Sequence, residues 1–148
     1  MDRAQIDLQV VIPATPDKLF GFLTVPGKVR LVLPGLIESM NVSEMPLKVG
    51  STFDYKYQMY GVIFDGQWEV LVLESPTLYE ARTTGGATST WKYKLDKIKG
   101  GTRLWLTVEY EVPQTFLGKV KTDLVKTINE REAHQYLDNL KAVFDLQG

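Results

Sequence analysis

From Leu36 to Val112 the chain holds no helical phrase; bulky apolar residues recur at every second position, broken only by turn signals. Those signals fall at Pro46–Gly50, Tyr60-Gly61, Ser75-Pro76, Gly85-Gly86 and Gly100-Gly101. They divide the region into about six strands with connections too short for parallel crossovers, so an antiparallel meander is the expected arrangement. The alternation gathers Phe53, Tyr55, Tyr57, Met59, Phe64, Trp68, Val70, Val72, Tyr79, Ala81, Trp91, Tyr93, Leu95, Leu104, Leu106, Val108 and Tyr110 on one face. The opposite face carries Asp54, Lys56, Gln58, Gln67, Glu69, Glu80, Arg82, Lys92, Lys94, Arg103, Thr107 and Glu109. One face is therefore covered and the other meets water.

The flanks supply the cover. Ile6, Leu8, Val10 and Ile12 alternate with Asp7 and Gln9 as a first strand, which Pro13 ends. Thr15 followed by Pro16 reads as an N-cap and first helical residue, and Asp17 suits the first turn. Leu19, Phe20, Phe22 and Leu23 form one short apolar face. After Val25-Pro26-Gly27, a second phrase runs through Val29, Leu31, Val32 and Leu33 to Pro34-Gly35. Helices this short need tertiary packing to persist, which predicts that both close one end of the sheet. Beyond Pro113 a helix is expected from about Thr115 to Asp145, roughly 45 Å at 1.5 Å per residue, long enough to cross the sheet.

The apolar stripe of that helix changes sides. Leu117, Val120, Leu124 and Ile128 mark its first half; Ala133, Tyr136, Leu140, Val143 and Phe144 mark its second, roughly 160° away at ~100° per residue. Either the helix breaks near Asn129–Glu132, or it runs straight and its second-half face continues back through Glu132, Asn129, Val125, Thr122 and Gly118. No Pro or Gly lies at Asn129–Glu132 to cause a kink, so the straight helix is preferred. Its small and polar residues would then leave a cavity with a polar roof above an aromatic floor. The displaced stripe of Leu117, Val120, Leu124 and Ile128 would need a loop, a partner chain such as a second copy, or a lipid to cover it.

Composition narrows the chemistry. The 148 residues suit one domain with a single core, and 44% are hydrophobic and 24% charged. Cys is absent and His occurs once, which excludes disulfides, thiol nucleophiles and three-His zinc. A net charge of −1 without a basic cluster argues against nucleic acid as a partner. No signal-like run or transmembrane segment is visible, so a cytoplasmic protein is expected.

The stretches "VVIPATPDKLFGFLTVPGKVRLVLPG", "STWKYKLDKIKGGTRLWLTVEYEVP" and "LDNLKAVF" resemble the opening, the penultimate hairpin and the helix ending of the SRPBCC, or START-like, superfamily. Within it, the polyketide cyclase/dehydrase-like bacterial branch is closest in pattern. The resemblance implies a single α+β helix-grip domain over residues 1–148. In that fold a curved antiparallel sheet of about seven strands wraps a long C-terminal helix, with two short helices after the first strand. It implies several functions: lipid transfer, small-ligand binding, aromatase/cyclase chemistry or partner regulation. Iron-dependent oxygenase chemistry is excluded because its metal needs two His. No cofactor is expected.

Within that frame Tyr55, Tyr57, Trp68, Trp91, Tyr93 and Tyr110 are expected to line a ligand pocket, with Asn129 and Glu132 as its polar groups; the alternative is that the aromatics simply fill a core. Glu132 and Asp65 are the acids best suited to proton transfer. His134, about 65° or more outside either stripe, is expected to face water beside Glu130, and Arg82 to sit on the outer face beside Glu80. Trp105 falls on the outer face, where it would either meet a second copy or partner, or stack on Lys92 and Lys94. The glycine pairs lack the strand–loop–helix setting of a phosphate cradle. The leading expectation is binding of a small hydrophobic or aromatic molecule, lipid- or polyketide-like. A cyclase/dehydratase-type enzyme and a partner-binding module are the alternatives.

Overall fold

The computed structural model describes residues 3–59, 61–85, 88–111 and 122–147, with helical side chains from 124 to 146 in the last stretch. The elements follow the order β1 (Arg3–Ile12), α1 (Pro16–Leu23), α2 (Pro26–Val29), β2 (Leu36–Met40), β3 (Thr52–Met59), β4 (Val62–Glu74), β5 (Leu78–Gly85), β6 (Ser89–Ile98), β7 (Gly101–Glu111) and α3 (Thr122–Gln147). All seven strands form one antiparallel sheet in the order β1-β7-β6-β5-β4-β3-β2. The meander from β2 to β7 is thus extended by the first strand, which pairs with the last from Arg3↔Glu111 to Ile12↔Thr102. The sheet curves, and α3 lies on its concave side against β1.

The local signals act as expected at α1. Thr15 takes extended backbone angles and its side chain accepts from the Lys18 amide, with Pro16 in the first turn. Leu19, Phe20, Phe22 and Leu23 are all buried. The Phe20 ring meets Tyr79 edge-on at 6.3 Å, and Phe22 meets Phe144 at 5.6 Å, so α1 closes the end of the core between sheet and α3. The second phrase is shorter than its apolar pattern suggested. A single turn, α2, passes into bends through Val32 and Leu33, both buried.

One inward assignment changes. Val70 faces Ala81, but Val72 faces Glu80, because β4 carries an extra residue between them. A one-residue bulge reverses the alternation beyond it. Val72 therefore lies on the outer face, and Leu73, opposite Tyr79, packs against the core in its place. The outer face is a lattice of exposed charge pairs: Lys56–Asp65 at 2.7 Å, Arg82–Glu69 at 2.6 Å and Lys92–Glu80 at 3.9 Å. Arg82 lies on the outer face two residues from Glu80, as expected, and pairs with Glu69, its cross-strand neighbour on β4. Each such pair is worth at most about 1 kcal/mol.

Helix α3 is continuous through Asn129–Glu132. Val125, Ala133, Tyr136, Leu137, Leu140 and Phe144 are buried and Asn129 and Glu132 half-buried, so one face does continue back through the polar residues. On the displaced stripe Leu124 is 44% exposed and Ile128 half-buried. Leu117, Val120 and Gly118 lie outside the described residues, as does the side chain of Thr122.

The Pro34-Gly35 turn sets a tight approach to the sheet. Gly35 has φ +84, and a Cβ there would meet Gln58 O at 2.8 Å and Tyr57 Cζ at 2.8 Å. Gly35→Ala should therefore lower stability by about 1–3 kcal/mol in urea titration. Gly27→Ala is the control: its methyl meets nothing within 4 Å, and a change below about 1 kcal/mol is expected.

Candidate functional site

Between the concave face, α2 and the N-terminal half of α3 lies a cavity of about 140 Å³. Pro26, Val29, Leu33 and Leu36 form its side wall, inward residues of β3 to β7 its floor, and Asn129, Glu132 and Ala133 its roof. An apolar cavity of comparable size, ~150 Å³, accepts a benzene molecule, so this one has room for about one aromatic ring as it stands.

The floor is built from rings in mutual contact. Phe53 stacks on Trp68 at 5.8 Å, Trp68 tilts against Trp91 at 5.7 Å, and Tyr79 stacks on Tyr93 at 5.5 Å. Most polar tips find partners among themselves. The Trp68 indole donates to Tyr79 Oη at 2.8 Å, and Trp91 to Ser89 Oγ at 3.0 Å; the Tyr93 and Tyr136 hydroxyls lie 2.9 Å apart. Burial raises the pKa of Tyr79, Tyr93 and Tyr136, so all three are neutral phenols at any ordinary pH.

Glu132 is the single acid among the described lining residues. Tyr57 Oη donates to its Oε2 at 2.7 Å. Burial pushes the Glu132 pKa upward, with the Tyr57 hydrogen bond acting against it; Tyr57 is itself pushed well up, first by burial and then by the neighbouring carboxylate. The arrangement is a half-buried carboxyl that takes up a proton more readily than an exposed one, held in place by a phenol.

All eight residues expected around a pocket, Tyr55, Tyr57, Trp68, Trp91, Tyr93, Tyr110, Asn129 and Glu132, line this cavity. Asp65 does not: it projects from the outer face, with a side chain 74% exposed and paired with Lys56. His134 is exposed. Trp105 lies on the outer face with Lys94 Nζ 5.1 Å from its ring centre. Among the described residues no group of His, Asp or Glu is arranged to hold a metal, and no helix is long and apolar enough to cross a membrane.

Sequence reasoning passed over Ser39, Thr83, Ser89 and Gly66, of which the three hydroxyl residues line the cavity. Their signal was present: Thr83 shares the parity of Tyr79 and Ala81, Ser89 that of Trp91 and Tyr93, and Gly66 that of Phe64 and Trp68. Small residues on an aromatic face are easily discounted as gaps, yet a gap is what a cavity requires.

The chain matches, over residues 3–145, the family described as "Polyketide cyclase / dehydrase and lipid transport", and it belongs to that family. No curated protein sequence matches it. Solved structures share the fold at low identity. TTHA0849 from Thermus thermophilus is 15% identical with a TM-score of 0.79, covering 94% of this chain and 95% of that one. The Zhui aromatase/cyclase from Streptomyces sp. R1128 is 12% identical with a TM-score of 0.74, covering 97% and 94%. Ara h 8.0201 is 16% identical with a TM-score of 0.71, covering 99% and 100%. These likenesses confirm the helix-grip fold.

The raised pKa of Glu132 has a testable sign. The fold favours its protonated form, so this contribution to stability is complete below the ordinary carboxylate pKa of about 4.3 and is lost as pH rises through the raised value. The stability of the wild type relative to Glu132→Gln should accordingly fall across that window and be flat on either side, as read by urea denaturation at successive pH values. A difference that grows with pH would contradict burial as the cause.

Proposed function

We propose that the protein binds a small hydrophobic or aromatic molecule in the cavity between sheet and α3. The observation that carries this reading is the cavity's construction. Rings that would fill an ordinary core are fastened to one another, while the helix opposite them presents Asn129, Glu132 and Ala133 instead of bulk. Apolar burial at about 25 cal/mol per Å² would supply most of the affinity before association costs. Membership of a family described by polyketide cyclisation, dehydration and lipid transport supports a ligand of lipid or polyketide kind. A full-length lipid would need the α2 wall to yield, since the cavity holds about one ring.

The experiment is titration with toluene, followed through the indole N–H resonances of Trp68 and Trp91, alongside native mass spectrometry of the protein as purified and analysis of an organic extract. Saturable shifts, or a discrete adduct of small-molecule mass, are expected. A protein with neither an adduct nor any response to millimolar toluene would overturn the reading. Ala133→Leu, which extends a side chain from the roof into the cavity, should abolish the toluene response while changing stability by less than about 2 kcal/mol.

A cyclase/dehydratase-type enzyme is the second reading, and Glu132 favours it. A carboxyl with a raised pKa, bonded to Tyr57 at 2.7 Å and set in the cavity roof, is suited to move a proton on a bound carbonyl compound. In that case Glu132→Gln should remove turnover of a polyketide-like substrate while toluene still shifts both indoles.

A further inference from the structure

A row of hydroxyls crosses the cavity floor, set by strand register. Ser39 on β2 faces Tyr55 on β3, and Tyr55 faces Gly66 on β4. Because Gly66 lacks a side chain the Tyr55 phenol lies across it; a Cβ there would meet Tyr55 Oη at 2.5 Å. The phenol reaches a hydrogen bond with Thr83 on β5. Thr83 faces Ser89 on β6, their Oγ atoms 2.5 Å apart, and Ser89 faces Tyr110 on β7.

The inner members of the row satisfy each other and the Trp91 indole. The two end members do not. Among the described residues, Ser39 Oγ and Tyr110 Oη are buried without a hydrogen bond, although both residues line the cavity. Tyr110 is only 7% exposed, and the Asn129 side chain lies close enough to offset part of the cost of ionising it without bonding in acceptable geometry. Buried hydroxyls are almost always partnered, so an unpartnered one facing a cavity marks where a ligand's polar group would sit.

The charge of the lining limits what that group can be. Among the described residues no Lys, Arg or His lines the cavity, while Glu132 does. Arg82, Lys92 and Lys94 are all engaged on the outer face. A carboxylate brought inside would lose its hydration, find no counter-charge among the described lining residues and meet Glu132.

We propose that the cavity selects neutral aromatic ligands bearing a hydroxyl or ketone, bonded at Tyr110, with Ser39 at the far end of the row as the lesser alternative, and rejects the corresponding carboxylates. This rests on the cavity being a ligand site, and the test separates the two claims. Toluene, para-cresol and para-toluate share one ring and differ in carrying no polar group, a neutral hydroxyl and a negative charge. Titrated at neutral pH through the Trp68 and Trp91 indole resonances, para-cresol is expected to bind about three- to tenfold more tightly than toluene, the worth of one neutral hydrogen bond. Para-toluate is expected to bind at least about tenfold more weakly than para-cresol. Tyr110→Phe should bring the cresol-to-toluene ratio to about one, and Ser39→Ala should reduce it less.

Toluate binding as tightly as cresol, or cresol no tighter than toluene, would overturn the selectivity while leaving the ligand site standing. A cresol preference retained in both variants would overturn the assignment to these hydroxyls. Failure of all three compounds to bind would overturn the site itself, and the selectivity with it.

Discussion

The height of the long helix above the sheet is set at Tyr136. Tyr136 is wholly buried, its ring edge-on to Tyr93 at 6.5 Å and its hydroxyl 2.9 Å from that of Tyr93. Neither hydroxyl could be buried alone without cost, so each licenses the burial of the other and together they set the height of the helix above the sheet. From that point the helix does opposite things in its two directions. Toward the C-terminus Leu137, Leu140 and Phe144 fill the space and meet α1 through Phe22. Toward the N-terminus Ala133, Glu132 and Asn129 leave it open.

The sheet is prepared for that open half. An aromatic floor left loose would collapse into the space, because rings gain more from contact than from facing a void. Here the rings are held by their own polar tips and neighbours: Trp68 by Tyr79, Trp91 by Ser89, Tyr57 by Glu132 on one side and the backbone of Gly35 on the other. Glycine matters at two places for the same reason. Gly66 and Gly35 give Tyr55 and Tyr57 room that any side chain would take, so the positions of these phenols depend on residues with nothing to contribute to a site directly.

The solved structures compared with this chain retain its architecture at 12–16% identity. What such a fold requires is alternation, turns at the right intervals and one helix long enough to cross the sheet, all of which many side chains satisfy. The lining is a different matter. Its charge, its hydroxyls and the sizes of its roof residues can vary without disturbing the ladder, which is why membership of the family settles the architecture and leaves the ligand to the cavity walls.

Most of the architecture was legible along the chain. The turn residues separate the strands of the meander, Thr15-Pro16 opens the first helix, and the polar interruption at Asn129 and Glu132 marks where the helix stops filling the core. Even the exclusion of Asp65 was implicit, since an inward Phe64 turns its neighbour outward. These are features of neighbours in sequence, and the 2.0 and 3.6 periods express them directly. The tertiary structure alone decided the rest: the β4 bulge that exchanged Val72 for Leu73, the Tyr57–Glu132 bond between residues 75 apart in sequence, and the row of hydroxyls assembled from five strands. Each depends on register between distant segments and on small differences in side-chain volume across a gap. A period in the sequence says which face a residue occupies, but not what stands opposite it.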